Sequence, residues 1–292
     1  FTQGMVLHAT YRAKDGRWLL PTEIRFEGDG EGRKAFELAN GDEITIGAIE
    51  KMSKSKKNLV DPDDIIASYG ADCARWFMLS DSPPERDVIW TEAGVSGANR
   101  FMQRIWRLVD LVEEKGCEQG SPMPSDLGDA ALAVRKVVHK TLHQVGQNIE
   151  NLRFNVSVAQ IYELVNAVQA TSNKSDKGLD WAIREAGEML VQMIGPMMPH
   201  LAEECWTRLG YNTLLAEQPW PAAEEALLVD DTITIAVQVN GKRRAELTID
   251  RSAEKDVVEA AALALEPIAK LLDGNPPKKV NVVPQRIVYV VA

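Results

Sequence analysis

Apolar positions recur along this chain with two different periods, and the change from one to the other divides it. In the first fifty residues, short runs at Met5 to Tyr11, Glu23 to Glu27, Lys34 to Leu38 and Glu43 to Ile49 are separated by Asp15-Gly16, Asp29-Gly30 and Asn40-Gly41. Runs of this length between turn dipeptides predict strands, here one strand followed by a small β insertion. A polar, basic stretch from Lys51 to Asn58 follows, and Asp61-Pro62 then signals a helix beginning near Asp63. From about Thr91 to Gly210 the apolar spacing becomes helical. Phe101, Ile105, Leu108 and Val112 mark one helix, and Val134, Val138, Leu142, Val145 and Ile149 a second. Val158, Ile161, Val165 and Val168 mark a third, and Ile183, Leu190 and Ile194 a fourth. Pro199 opens a last short helix that Gly210 closes, so the region reads as a helical bundle.

Pro219 to Glu225 has the composition of a linker. Beyond it the period returns to two: Ile233, Ile235, Val237 and Val239 alternate, Asn240-Gly241 supplies a hairpin turn, and Ala245, Leu247 and Ile249 follow on the return strand. A helix from about Ala253 to Leu272 and strands at Lys279 to Val283 and Arg286 to Val291 complete a small ββαββ domain. The chain is therefore expected to be multidomain α+β, divided at 1–49, 50–90, 91–218, a linker at 219–231, and 232–292.

Bulk composition narrows the function classes. No run of about 18 apolar residues occurs, so no membrane-spanning helix is expected. The start, Phe1-Thr2-Gln3-Gly4-Met5, lacks the layout of a secretory signal and enters a strand at once, which reads as a chain cut from something longer. Cys73, Cys117 and Cys205 are widely spaced, with no Cys-x-x-Cys pair, so neither a disulfide framework nor a zinc site is expected. A reducing cytoplasm fits that usage. Thirty-three basic against 43 acidic residues give a net charge of -10, which excludes indiscriminate binding to DNA and requires any nucleic-acid contact to use local basic patches.

The sharpest local signal is Lys51-Met52-Ser53-Lys54-Ser55. Two ammonium groups on a serine-containing loop suit a polyanion whose charge grows during reaction, such as a leaving pyrophosphate. Lysine on its long stem follows such a group as the loop moves. At about 4 Å and an effective dielectric near 20, one charge pair amounts to about 4 kcal/mol before desolvation. A solvated lysine-rich turn has the same residue types, and the full pentapeptide is what separates the two readings.

That pentapeptide resembles the signature loop of class I aminoacyl-tRNA synthetases. Tyr69-Gly70-Ala71-Asp72-Cys73-Ala74-Arg75-Trp76-Phe77-Met78 is similar to the helix that follows it in those enzymes, although Asp72 and Arg75 fit equally a surface pair three residues apart. Within the class, several further segments resemble the bacterial leucyl-tRNA synthetases. They are Gln3-Gly4-Met5-Val6; Trp90 with Gly94-Val95, Gly97-Ala98-Asn99-Arg100-Phe101; Pro199-His200 with Glu203 and Trp206; and Val237-Gln238-Val239-Asn240-Gly241-Lys242 with Arg244. They occur in that family's order along essentially the whole chain.

The resemblance implies the C-terminal edge of a class I nucleotide-binding core carrying a β insertion, a bundle of the anticodon-binding type, and the small tail domain. It also implies ATP-dependent attachment of leucine to tRNA(Leu), with magnesium accompanying ATP. Lys51 and Lys54 become the catalytic cations, and Met52, Ser53, Ser55 and Asn58 the rest of the ATP-binding loop. The insertion, where the family carries a leucine-specific domain, is short here. The family's His-x-Gly-His motif is absent, since His8, His139, His143 and His200 lack that spacing, and its threonine-rich editing pocket is missing too. The chain alone is accordingly expected to be inactive.

Other chemistry-bearing residues read as structural. His200 is expected to be packed and hydrogen-bonded, Trp106, Trp181 and Trp206 to be core, and Met189, Met193, Met197 and Met198 to be core filler. For tRNA contact the tail offers Lys242, Arg243, Arg244, Lys278, Lys279 and Arg286. From Thr232 onward nine basic residues face seven acidic, a positive balance on an otherwise acidic chain. Lys242 and Arg244 are expected on one strand face beside the turn. Arg100, Arg104, Arg107, Arg135, Lys136 and Lys140 in the bundle are weaker candidates. A monomer is expected. The alternatives are a non-catalytic tRNA-binding module and a class I enzyme for isoleucine or valine, which the Val-Asn-Gly-Lys-x-Arg segment argues against.

Overall fold

A computed structural model describes residues 3–28, 32–229 and 232–292. Phe1 and Thr2 of the abrupt start, the Asp29-Gly30 turn and the end of the linker at Asp230-Asp231 lie outside the described residues. The chain forms two compact units, 1–224 and 225–292.

The first unit begins with a five-stranded sheet of β1 (Val6–Arg12), β2 (Ile24–Glu27), β3 (Lys34–Glu37), β4 (Glu43–Lys51) and β5 (Val88–Ile89), ordered β2-β3-β4-β1-β5. β1 runs antiparallel to β4 and parallel to the two-residue β5, which is too short to show in the sequence pattern. The insertion is thus no separate body: β2 and β3 extend the sheet that β1 and β4 begin. Tyr11, Leu19, Ile24, Ala35 and Ile44 give this extension its own small core.

Two helices follow the basic loop. α1 (Pro62–Tyr69) starts where the Asp61 carboxylate accepts from the Asp63 N–H at 3.0 Å, and α2 (Ala71–Ser80) resumes after a break at Gly70. The bundle comprises α3 (Glu92–Lys115), α4 (Asp129–Glu150), α5 (Phe154–Gln169), α6 (Leu179–Ile194) and α7 (Pro199–Arg208). Thr91 caps α3 through the Gly94 N–H at 3.1 Å. The apolar stripes named from sequence meet in one core that also takes Trp76 of α2, stacked on Phe101 of α3 at 5.2 Å. α3 and α6 approach so closely at Gly187 that a Cβ there would lie 2.6 Å from a Val112 methyl. One continuous core therefore joins the helix behind the basic loop to the bundle.

The expected linker is not free chain along its length. Ala223 packs on the bundle core, and Glu224 bonds to α4.

The second unit is a sheet of order β7-β6-β9-β8, built from β6 (Thr232–Val239), β7 (Lys242–Asp250), β8 (Lys279–Val283) and β9 (Ile287–Val291). Asn240 and Gly241 both take positive φ, which the two-residue turn between β6 and β7 requires. The single helix expected from Ala253 to Leu272 is instead α8 (Lys255–Ala264) and α9 (Glu266–Leu272). Pro267 explains the break: it has no N–H to continue α8, and its ring favours the first turn of a new helix. Leu265 is accordingly extended. Val258, Ala262 and Ile268 pack these helices on the sheet face that carries Ile235, Val237, Val288 and Val290.

Candidate functional site

β4 delivers Lys51 to the surface, and Met52 N–H returns to Val6 O at 3.3 Å. Ser53 then caps a single 3-10 turn, Lys54–Lys56, its Oγ accepting from the Lys56 N–H at 3.4 Å. Lys57 sits in the left-handed region at φ 52° and turns the chain inward to Asn58. Asn58 is 0% exposed. Its Oδ1 accepts from Ser53 N–H at 2.9 Å, while Nδ2 donates toward the carbonyls of His8 at 3.2 Å and of Glu50 and Lys51 at 3.3 Å. Asn58, grouped from sequence with the ATP-binding loop, points away from solvent and fastens both ends of the loop.

The lysines of the loop divide into two kinds. Lys56 pairs with Glu50, and Lys57 lies 3.8 Å from Glu23. Lys51 and Lys54 are exposed and, among the described residues, have no ion-pair partner. These two ammonium groups are the ones available to a polyanion. Behind the loop, burial pushes the His8 imidazole below its usual value, opposed by its contact with Asn58, so no further cation is added there near neutral pH.

Asp72 and Arg75 do not form the surface pair considered above. The buried Asp72 carboxylate accepts from His200 Nδ1 at 2.9 Å and from the Leu201 N–H, in the first turn of α7, at 2.7 Å. Arg75 donates to Met197 O at 3.1 Å and Pro196 O at 2.8 Å. Two side chains one helical turn apart thus grip the backbone of the α6–α7 turn and of the first turn of α7. The signal was present in the spacing, but their partners lie more than 120 residues away. His200 is hydrogen-bonded as expected but not packed, since its side chain is 79% exposed. Glu203, read as its neighbour, instead caps the Leu215 and Ala216 N–H groups at 2.8 and 2.9 Å.

In the bundle, Arg135 is internal rather than an RNA-facing cation. It is 5% exposed, donates to Glu185 at 2.9 and 3.1 Å, and reaches Glu224 at 2.7 Å. His139 joins the same group, with Nε2 3.1 Å from Glu185 and Nδ1 accepting the Glu224 N–H at 3.0 Å. Burial raises the Glu185 carboxyl, but hydrogen bonds from His139 and Arg135, with the Arg135 charge, outweigh it and leave the group below its ordinary value. Arg104 is bound to Asn166 and Gln169, at 2.5 and 2.8 Å, and Arg107 to Gln103 O at 3.2 Å. Trp206 is buried and stacked on Tyr211 at 3.6 Å, Trp181 donates to Ser121 O at 2.9 Å, and Trp106 lies under Arg208 at 4.6 Å. Each ring is engaged within the fold.

In the tail, Lys242, Arg243, Arg244, Lys278, Lys279 and Arg286 are all exposed. Strand register brings the first five to one end of the sheet, because Val239 pairs with both Lys242 and Val290, and Val291 with Lys279. Arg286 lies in the β8–β9 turn at the other end. Lys242 and Arg244 do not share a regular strand face. Val239 pairs with Lys242 and Gln238 with Arg243, but Val237 pairs with Ala245, so Arg244 is an extra residue at a bulge. Lys242 stands opposite core-facing Val239, Arg243 opposite outward-facing Gln238, and Arg243 also pairs with Glu246. A turn dipeptide does not reveal a bulge two residues later.

Two family models match: the anticodon-binding domain of tRNA ligase over residues 132–259, and tRNA synthetases class I (I, L, M and V) over residues 44–91. The whole chain is 54% identical to the leucine–tRNA ligase of Methylocella silvestris and 55% identical to that of Parvibaculum lavamentivorans, covering 34% and 33% of those proteins. It therefore spans about a third of the length of the curated relatives it matches, corresponding to their C-terminal part. The fold also matches, over the full chain and 33% of the other, the crystal structure of an Agrobacterium radiobacter K84 LeuRS–tRNA–LeuAMS ternary complex, with a TM-score of 0.71 and 24% identity. Among the described residues, no helix is long and apolar enough to cross a membrane.

Proposed function

The chain belongs to the leucine–tRNA ligase family, and from that premise we propose that it supplies the parent enzyme with its phosphate-handling loop and its surfaces for tRNA(Leu). In that enzyme the leucine carboxylate attacks the α-phosphorus of ATP and pyrophosphate leaves. The terminal ribose of the tRNA then takes the leucyl group. Lys51 and Lys54 meet the negative charge that grows on the departing pyrophosphate, which is where a positioned cation lowers the barrier. Ser53 and Ser55 shape the turn between them, and Asn58 holds its base.

Magnesium enters with ATP as part of the substrate. Among the described residues no group of three or more His, Cys, Asp or Glu side chains is placed to hold a metal. The bundle and the cationic end of the tail sheet contact tRNA. The working form is a monomer in a reducing compartment, the cytoplasm; the compartment is supported by three dispersed free cysteines. The chain by itself carries no His-x-Gly-His motif and is inactive in leucine activation.

One observation carries the catalytic assignment: among the described residues Lys51 and Lys54 are exposed and without ion-pair partners, on a loop whose neighbouring lysines are both engaged. The test is leucine-dependent pyrophosphate exchange by the full-length enzyme carrying Lys54→Ala. The expected result is a kcat lower by about ten- to a thousandfold, with leucine affinity unchanged. An unchanged kcat with weakened leucine binding overturns the assignment.

A further inference from the structure

α8 and α9 pack on one face of the tail sheet; on the other, one of the rows of side chains that cross all four strands lies near the cationic end. Gln238 of β6 pairs with Arg243 of β7 on one side and Tyr289 of β9 on the other, and Tyr289 pairs with Asn281 of β8. The order across the sheet is guanidinium, amide, aromatic ring, amide. At about 4.8 Å per strand the row is about 14 Å long. Alternation puts it opposite the packed face, because Val237, Val239, Val282, Val288 and Val290, the chain neighbours of its members, are buried. Tyr289 is 40% exposed, and Asn281 and Arg243 are exposed. Lys279, on the same face and paired with Val291, stands at the cationic end.

The geometry points to this row as a stacking platform for an unpaired RNA base, with Arg243 and Lys279 reaching flanking phosphates. A ring lying between two amides offers a π-face to a base and hydrogen-bonding groups to its edges, a combination that recognises unstacked bases. A duplex presents phosphates and groove edges but keeps its base faces covered, so it cannot use Tyr289. Along β9 the ring has Ile287 and Val291 on the same face, but Gln238 and Asn281 flank it across the sheet and Arg243 and Lys279 stand beside the row, a charge pattern that favours a polyanion over an apolar protein surface. Arg243 exchanges its ion pair with Glu246 for a phosphate when RNA is bound. With one ring in the row, a single base is stacked. The inference rests on the reading of the tail as an RNA-contacting surface and assigns to it an unpaired nucleotide and a face.

The test measures binding of the 292-residue chain to a fluorescein-labelled single-stranded RNA decamer and to the same decamer in a duplex, across a salt series. The single strand is expected to bind more tightly. Tyr289→Ala is expected to weaken single-strand binding by roughly tenfold with the salt slope unchanged, and Tyr289→Phe to keep affinity within about twofold. Circular dichroism verifies that both variants fold. Affinity unchanged in Tyr289→Ala overturns the platform, as does equal weakening for duplex and single strand, or no single-strand binding by the unmodified chain. The double variant Lys242→Ala/Arg244→Ala separates the two claims. If it weakens binding while Tyr289→Ala does not, the tail remains an RNA surface and the stacking row falls; if neither has an effect, both fall.

Discussion

Replacing Asn58 tests whether the loop is held from beneath. Asn58→Ala removes a buried amide whose Nδ2 serves three carbonyls and whose Oδ1 serves the Ser53 N–H. Each buried group left without a partner costs about 1–3 kcal/mol. Counting Ser53 N–H and one carbonyl, the penalty is about 2–6 kcal/mol. At about 2–4 °C per kcal/mol for a unit of this size, the melting transition should fall by roughly 4–24 °C. All seven tryptophans, from Trp18 to Trp220, lie in the first unit, so their fluorescence follows this transition without interference from the tail. Asn58→Asp is the sharper test. It preserves shape and the acceptor for Ser53, yet it replaces the donor with a second oxygen facing three carbonyl oxygens. The isosteric variant should therefore be less stable than the alanine variant near neutral pH. Its carboxyl pKa should be raised in the folded state, so the penalty is complete above that folded value, shrinks as pH falls through it, and is gone only below about 3.9, the unfolded value. An aspartate variant milder than alanine, or with no acid recovery relative to alanine, would refute the clamp.

Two further measurements bear on the bundle and the tail. Glu185 titrates below its ordinary value when folded. Its contribution should be fully present above about pH 4.3 and lost as pH falls through the folded value, so the stability gap between the unmodified chain and Glu185→Gln should narrow only in that acid range. For the tail, Lys242→Ala/Arg244→Ala should weaken tRNA binding by about 1–3 kcal/mol and lower the salt slope by up to about two, read from a filter-binding series. Unchanged affinity with folding intact would assign both to an ordinary solvated hairpin.

Legibility from sequence followed the range of the interaction. The strands around Ala9, the helices through Ile105, Val138 and Ile161, and the Asn240-Gly241 turn were readable because each depends on residues a few positions apart. The pentapeptide at Lys51 was readable because its residue types are unusual together. What escaped was long-range or register-dependent. Asp72 looked like half of a local pair because its partners, His200 and Leu201, lie on another helix. Arg135 looked like a surface cation because nothing in α4 announces Glu185 and Glu224. The Arg244 bulge shifts side-chain parity without changing composition, and Pro267 ends one helix and starts another inside what reads as a single helical stretch. Asn58 was placed in the loop as a residue that shapes it, but its burial and its reach to the His8 carbonyl were not legible, since burial of a polar side chain has no periodic signature.

The grip of Asp72 and Arg75 on the α6–α7 turn is unequal in what it demands of its two sides. Among the described residues, and apart from His200, what they hold is main chain: one N–H and two carbonyls. Backbone groups are supplied by whichever residues occupy Pro196, Met197 and Leu201, so packing alone constrains those positions. Asp72 and Arg75 have no such latitude, because the contact needs a carboxylate at the start of α7 and a forked donor at the two turn carbonyls. Substitutions in the turn that respect volume leave the junction intact, whereas a change at either charged residue breaks it with no available compensation from the opposite side. Within this polar contact, the demanding positions are thus the two on α2.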